Sequence, residues 1–298
     1  MNFNKEMKVG AYMEIISVPN LKASQLEAAR ALIKSCQQYD GSFRMPYLSN
    51  LFNFDNEMPA FFLAYDGQRL VGLLSVYADS PEVELSVYVH PDHRRQGIAS
   101  ALITEYRQVC GAYPIDQSCF VSEKVFLDQH PDFLSQTGLQ MDESTEFLMD
   151  REREPFIFDK QEALNFRLAQ AEDVEGITRL QMEAFESPYS EAFLYCDEAL
   201  KDSMNRLYVI ERAGQVIASC TIELSDEENY LYGLAVLKKY QHQGIGSYLV
   251  KKVINDLDDL NGRDCRLAVD DDNHAARTLY QKLGFQTLTQ VVYLDKRS

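Results

Sequence analysis

Two polar turns in this chain carry the residue types needed to hold an anion. The first reads Arg94-Arg95-Gln96-Gly97-Ile98-Ala99 and the second Gln241-His242-Gln243-Gly244-Ile245-Gly246, followed by Ser247. Each follows an apolar strand-like run, VELSVYV (83–89) or YLYGLAV (230–236), and leads into a helical pattern. A glycine in such a turn lets the backbone approach a ligand closely. The helix behind it presents unpaired N–H groups and the positive end of its dipole. A pyrophosphate is the natural guest. Arg94 and Arg95 would add charge to the first turn, whereas Gln241, His242 and Gln243 leave the second less cationic. One such turn alone reads equally well as a helix start with a packing glycine; two behind the same lead-in favour a ligand.

A third stretch, Asn273-His274-Ala275-Ala276-Arg277-Thr278-Leu279-Tyr280-Gln281-Lys282-Leu283-Gly284-Phe285, offers an amide and a phenol. Asn273, Ala276 or Arg277, and Tyr280 follow i, i+3/i+4, i+7 spacing and share one helical face. Gly284 has the place of a glycine that ends the helix. From the residues alone, Tyr280 reads first as a core aromatic of a buried amphipathic helix.

The elements that must position these groups come in two copies. FFLAYDGQRLVGLLSVY (61–77) and LYVIERAGQVIASCTIE (207–223) each read as a hairpin, turning at Asp66-Gly67 and at Ala213-Gly214. Arg94 and Gln241, Gly97 and Gly244, and Val89 and Val236 all lie 147 positions apart. A register held this far implies two copies of one domain. Amphipathic helices are expected over 21–36 and 171–185, and closing strands over 145–150 and 289–295. The boundary is placed in 151–159, giving domains 1–154 and 155–298.

Strand, R/Q-x-x-G-x-G/A turn and helix together resemble the GNAT (GCN5-related N-acetyltransferase) superfamily, once in each half. The resemblance implies an α/β (α+β) fold: two domains, each a mixed, mostly antiparallel central sheet flanked by helices. It implies acetyl-CoA as cosubstrate, its pyrophosphate on the turn and its pantetheine arm along the preceding strand. The residues so assigned are Val87, Val89, Arg94, Arg95, Gln96, Gly97, Ile98 and Ala99 in the first half. In the second they are Leu234, Ala235, Val236, Gln241, His242, Gln243, Gly244, Ile245, Gly246 and Ser247. The string from Asn273 to Phe285 resembles the second motif of the family, in which the Asn contacts the cofactor arm and the Tyr protonates the leaving thiolate.

The first half departs from that second motif. Aligning Gly138 with Gly284 puts Leu134 where Tyr280 stands; a strict offset of 147 puts Phe133 there. Leu127 or Phe126 replaces Asn273, and Pro131 implies a later helix start. The first half is therefore expected to be non-catalytic, with its binding of CoA an open question, and the second half catalytic.

The expected reaction is direct attack of a primary amine of a small molecule on the thioester, with both substrates bound. The oxyanion would meet a backbone N–H near Leu234–Val236, and Tyr280 would act as general acid. For the general base, Glu84 has the right strand setting in the first half, but the 147 offset pairs it with Leu231. In the second half Glu223 is the candidate, with Glu227 and Glu228 as loop alternatives, each also readable as a solvated carboxylate. Asp270-Asp271-Asp272 reads first as a helix-starting acidic run. The acceptor pocket is expected from segments 36–60 and 185–206. Their aromatics (among them Tyr39, Phe43, Tyr47, Phe185, Tyr189, Phe193 and Tyr195) are read as core packing in preference to pocket lining. Competing readings are an acyl-CoA sensor without turnover and a protein or peptide N-acetyltransferase.

Composition narrows the partners. With 29 Lys and Arg against 46 Asp and Glu, the formal net charge is −17. That argues against nucleic acid, including charged tRNA, and against an anionic membrane face. Six Cys without a CxxC pair read as buried free thiols of a cytoplasmic protein. Five scattered His give no metal pattern. Neither a signal peptide nor a membrane-spanning run is expected. No Ser-His-Asp set or activated Cys is signalled, which disfavours an acyl-enzyme.

Overall fold

The computed structural model describes residues 13–158, 164–224 and 228–296. The first half runs β1 (Met13–Val18), α1 (Ala23–Asp40), β2 (Phe61–Asp66), β3 (Arg69–Tyr77), β4 (Glu82–Val89), α2 (Ile98–Cys110), β5 (Gln117–Glu123), the short helices α3 (Lys124–Gln129) and α4 (Phe133–Thr137), and β6 (Gln140–Arg151). The second runs β7 (Asn165–Leu168), α5 (Val174–Phe185), α6 (Tyr189–Lys201), β8 (Asn205–Arg212), β9 (Gln215–Leu224), β10 (Asn229–Val236), α7 (Ile245–Leu260), β11 (Cys265–Asp270), α8 (His274–Lys282) and β12 (Gln286–Asp295). Among the described residues no helix is long and apolar enough to cross a membrane.

The chain forms two compact units that do not follow a single cut at 154/155. Unit 1 comprises Met1–Thr145 with Thr289–Ser298, and unit 2 comprises Glu146–Leu288. Within unit 1 the strand order is β1-β2-β3-β4-β5-β12; within unit 2 it is β7-β8-β9-β10-β11-β6. Both closing strands form where the sequence puts them, but each completes the sheet of the opposite half. In unit 1, Val291–Leu294 of β12 runs antiparallel to Glu123–Phe120 of β5. In unit 2, Glu146–Arg151 of β6 runs antiparallel to Asp270–Cys265 of β11. The reason is that an edge strand accepts any apolar alternating segment that fits its ladder. Val292 and Leu294 sink into unit 1 beside Phe120 and Leu139, and Met149 sinks into unit 2 with Leu249 and Leu267.

The two inner faces of each sheet follow strand alternation. In unit 1, Phe62, Ala64 and Leu74 bury against Ile98 and Leu102 of α2, while Phe61, Leu63 and Leu73 bury against Ala29, Leu32 and Ile33 of α1. In unit 2, Ile210, Cys220 and Ile222 pack with Val250 and Val253 of α7 and Tyr280 of α8. Leu207 and Val209 turn to the other face, against Ile177 of α5 and Cys196 of α6.

Strand registers refine the repeat. β2–β3 and β8–β9 carry the same irregularity, between Ala64 and Tyr65 and between Ile210 and Glu211. Gly72 pairs with Val89 and Ala218 with Val236, so the third strands match at an offset of 146 and the ends of the fourth at 147. The extra residue lies inside β10. Tyr232 pairs with Thr221 and Ala235 with Ser219, so Gly233 and Leu234 together face Cys220 in a β-bulge. β4 runs through the same place without a shift. The counterpart of Glu84, which pairs with Tyr77, is therefore Tyr230, which pairs with Glu223, and not Leu231.

Candidate functional site

The two polar turns have nearly the same backbone. Each begins with one turn of 3-10 helix, Pro91–His93 or Lys238–Tyr240, and then an extended residue: Arg94 at φ −66°, ψ 158°, Gln241 at −64°, 160°. The next residues, Arg95 (φ 63°) and His242 (φ 59°), sit in the left-handed region although neither is glycine. Such a conformation costs about 1–3 kcal/mol and persists where the surroundings impose it. Gly97 (φ 85°) and Gly244 (φ 81°) then cap α2 and α7. The first helical bonds are Ala101 N–H to Gly97 O and Tyr248 N–H to Gly244 O, both 2.9 Å. The N–H groups of 98–100 and 245–247 precede them, so they have no carbonyl within the helix. Successive amides in this arrangement form a concavity of the kind that can cradle an anion.

The turn side chains build the cradle. Gln241 donates from Nε2 to Val236 O at 3.0 Å, and Arg94 from Nε to Val89 O at 3.0 Å. Gln243 donates to Lys239 O at 2.9 Å, and Gln96 to Asp92 O at 3.3 Å. Arg94 does not add free charge to the cradle, as the sequence suggested, because its other two nitrogens meet the buried carboxylate of Asp40, both at 2.6 Å. Arg95 reaches Gln136 Oε1 at 3.1 Å.

Behind the second cradle, β10 separates from β11. They pair only at Asn229–Cys265 and Tyr230–Arg266, whereas β4 and β5 pair at four positions, one rung further along the strand. No rung pairs β10 with β11 beyond Tyr230–Arg266. Gly233, at φ +61°, occupies the bulge. Leu234 and Val236 lie on the α7–α8 side, partly buried against that core. A Cβ on Gly246 would lie 3.3 Å from Leu279 of α8 and 3.6 Å from Val236. The cradle, the free edge of β10 and α8 thus meet at one place.

α8 brings its two motif residues to different environments. Asn273 is exposed and caps the helix, accepting from Ala276 N at 3.1 Å. Its carboxamide NH2 remains on the exposed end. Tyr280 is 6 % exposed, with its ring edge-on to Phe285 at 5.6 Å. Burial raises its phenol well above the ordinary range, with neighbouring Cys220, Cys265 and Tyr230 acting in the same direction and no hydrogen bond contributing. The helix stops at Gly284, φ +89°.

The carboxylates divide. Glu223 of β9 is exposed and lies in register with Asn205 and Tyr230. Strand alternation puts it on the face opposite Ile222, hence opposite the core that holds Tyr280. Glu228 is paired with Arg266 at 2.7 Å. Glu227 lies outside the described residues. In the acidic run, Asp271 faces Arg277 at 3.7 Å, and the backbones of Asp270 and Asp272 accept from Asn273 and His274. The thiols are high and protonated: burial takes Cys36 and Cys196 to about 11 and Cys265 to about 12.

Unit 1 lacks this arrangement. α4 begins just after Pro131, and Leu127, Phe133 and Leu134 pack against Val292 and Leu294. Glu84 lies 3.5 Å from Arg44, whose Nη1 also donates to Ser86 at 2.8 Å. The buried Glu123 carboxylate accepts from the backbone N–H groups of Phe43 and Arg44 at 2.9–3.0 Å. Segment 43–44 is thereby tied across the face of β4 that carries Glu84 and Ser86.

The aromatics of the variable segments are only partly core. Tyr39, Phe185 and Tyr189 are 65 %, 54 % and 46 % exposed, and Phe43 and Phe193 are also exposed. Tyr47 packs on Phe52 and Tyr77. A surface groove of about 490 Å³ is lined by Glu183, Gln215, Leu237, Lys238 and Lys239, beside the second 3-10 turn and away from Tyr280.

A family model described as "Acetyltransferase (GNAT) family" matches residues 26–128 and again 174–285, most of the chain. This chain belongs to the GNAT acetyltransferase family. Solved structures agree on the fold of this tandem GNAT chain. A GCN5-related N-acetyltransferase from Sphaerobacter thermophilus aligns at a TM-score of 0.72 and 16% identity, over 97% of this chain and 98% of its own. A tandem GNAT protein from the clavulanic acid biosynthesis pathway aligns at 0.67 and 16%, over 96% and 99%. A GNAT-family acetyltransferase from Colwellia psychrerythraea aligns at 0.61 and 16%, over 95% and 100%.

Sequence reasoning missed the bulge, Gln181 beneath it, and the Arg44–Glu123 tie. A signal for the bulge was present: 61–77 matches 207–223 at an offset of 146, whereas 83–89 matches 230–236 at 147.

Proposed function

We propose that unit 2 transfers an acetyl group from acetyl-CoA to a primary amine of a small molecule, by direct attack while both are bound. The observation that carries this reading is Tyr280. Its ring is buried, no hydrogen bond holds its hydroxyl among the described residues, and its helix adjoins the cradle and the free edge of β10. A phenol kept protonated by burial can supply a proton to a leaving thiolate.

The backbone amides from Gln243 to Ser247, around Gly244, Ile245 and Gly246, would hold the pyrophosphate. The edge of Leu234, Ala235 and Val236 would pair with the pantetheine arm, and the Asn273 carboxamide would contact it. An unpaired N–H of this edge would meet the oxyanion. Glu223, on the opposite face of the sheet, is the candidate to take the amine proton directly or through water. The buried, high thiols support a mechanism without an acyl-enzyme and suit a cytoplasmic protein.

For unit 1 the reading is ligand binding without turnover, through the amides of Gly97, Ile98 and Ala99 and the edge of Val87 and Val89. The apolar set Leu127, Phe133 and Leu134 favours it, as does the engagement of Glu84 with Arg44.

The test is free-thiol release from acetyl-CoA over a panel of polyamines, aminoglycosides, amino acids, amino sugars and short peptides. Turnover with one class, lost in Tyr280→Phe, is the expected result. Tight CoA binding with no turnover across the panel would favour a sensor.

A further inference from the structure

The bulge in β10 is held from outside the sheet. Gln181 of α5 donates from Nε2 to Gly233 O at 2.8 Å and to Ser219 Oγ at 3.1 Å. Ser219 is fully buried and pairs with Ala235, the first residue after the bulge. One carboxamide therefore joins the bulged carbonyl to the strand on its far side.

Unit 1 provides the comparison within the same chain. Stepping inward from Gly72–Val89, the next pair is Leu73–Tyr88, then Leu74–Val87 and Ser75–Ser86, without interruption. Stepping inward from Ala218–Val236, the next is Ser219–Ala235, and then Gly233 and Leu234 together face Cys220. Leu73 thus occupies the register of Ser219, and Gly233 has no counterpart. The hydroxyl, the glycine and the bulge are all present in unit 2 and all missing from unit 1, the half without a Tyr280 equivalent.

A bulge re-aims the backbone groups that follow it. Here the first of those groups is the N–H of Leu234, in the same peptide unit as the Gly233 carbonyl, where β10 has no rung with β11. We propose that Gln181 is a positioning residue: by fixing the Gly233 carbonyl on the α5 side, it sets the direction of the following N–H toward the thioester carbonyl. The inference rests on the acyltransferase reading of unit 2. Gln181 does not touch the reacting atoms; it acts through the backbone of β10.

The test uses the full chain with acetyl-CoA labelled with 13C at the carbonyl. Affinity is measured by calorimetry and the bound carbonyl resonance by NMR. A hydrogen bond to the carbonyl displaces its resonance from the free position. Wild type should show that displacement. Gln181→Met should bind acetyl-CoA within about threefold of wild type and lose most of it, whereas Ser219→Ala, which leaves the bond to Gly233, should retain it. Once an acceptor is known, Gln181→Met should lower kcat by about 10–100-fold with KM for acetyl-CoA little changed, short of the 10²–10³ typical for loss of the donor itself. Should Gln181→Met fail to fold, Gln181→Glu, which sets an acceptor against the Gly233 carbonyl, is read in the same way. A displacement that survives in the variant, or is absent from wild type with acetyl-CoA bound, overturns the role of Gln181. Failure of wild type to bind acetyl-CoA overturns the acyltransferase reading beneath it.

Discussion

Arg94 and Asp40 are locked together by two bonds of 2.6 Å, whereas the side chain of the corresponding cradle residue in unit 2, Gln241, donates to Val236 O. The first cradle is thus held by a charge pair and the second by a neutral amide. Removing one partner of a buried pair leaves the other charge without compensation, at a cost of about 3–5 kcal/mol. Arg94→Gln, the residue unit 2 uses, should therefore lower the melting temperature by on the order of 10 °C. The double variant with Asp40→Asn should recover much of it. Calorimetric scans check this, and thiol release by unit 2 should be unaffected at temperatures where the chain stays folded.

Tyr280→Phe removes an oxygen that has no hydrogen bond among the described residues. Stability should change little, within about 0.5–1 kcal/mol in either direction. Turnover should fall by about 10²–10⁴, with CoA affinity within about twofold. Equal kcat in the two proteins would remove Tyr280 from the mechanism.

The two cradles can be separated by charge. A Cβ at Gly244 meets nothing within 4 Å, so Gly244→Asp has room, but it brings a carboxylate to the proposed anion site and adds positive-φ strain of about 1–2 kcal/mol. CoA binding at unit 2 and turnover should both be lost. Gly97→Asp should leave turnover intact. Calorimetric stoichiometry in the two variants then reports whether unit 1 binds CoA.

The exchange of closing strands predicts how fragments behave. A fragment of residues 155–298 lacks β6, leaving β11 with an unpaired edge and Met149 missing from the core. It should be poorly folded or self-associating by circular dichroism and size exclusion. A fragment of 140–298 retains β6 and should give the more ordered unit 2. Equal folding of the two would show that β6 is dispensable.

Asp173 contributes to acid stability in unit 2. Asp173 receives two bonds from Arg167, at 2.6 and 2.9 Å, and this guanidinium holds its carboxyl below the ordinary range. A lowered carboxyl favours the folded state above its unfolded pKa of about 3.9. That contribution disappears as pH falls through the lower folded value. Arg167→Met should therefore destabilise the chain at pH 6 and lose less stability than wild type between pH 4 and pH 2. Denaturant titrations at each pH measure the slope.

The repeat, the cradles and the Asn273–Gly284 helix were legible because each is written in local spacing. A glycine at a strand–helix turn, an i, i+7 pair and an alternating strand act through neighbours along the chain. So did the apolar replacements in the first half: Leu127, Phe133 and Leu134 cannot donate a proton in any arrangement. The one-residue change in offset marked the bulge without saying what held it.

Local spacing along the chain settles which segments become strand, turn and helix, and which half carries a phenol and an amide at family spacing. The tertiary structure decided that β6 and β12 exchange sheets, because open edges select strands by fit and both strands carry the same alternation. It also decided that the Arg94 charge turns to Asp40, that Phe185 and Tyr189 face outward, and that Gln181 reaches Gly233, 52 residues away in sequence. These depend on which groups meet through space, and hydropathy along a chain is silent about partners so far apart.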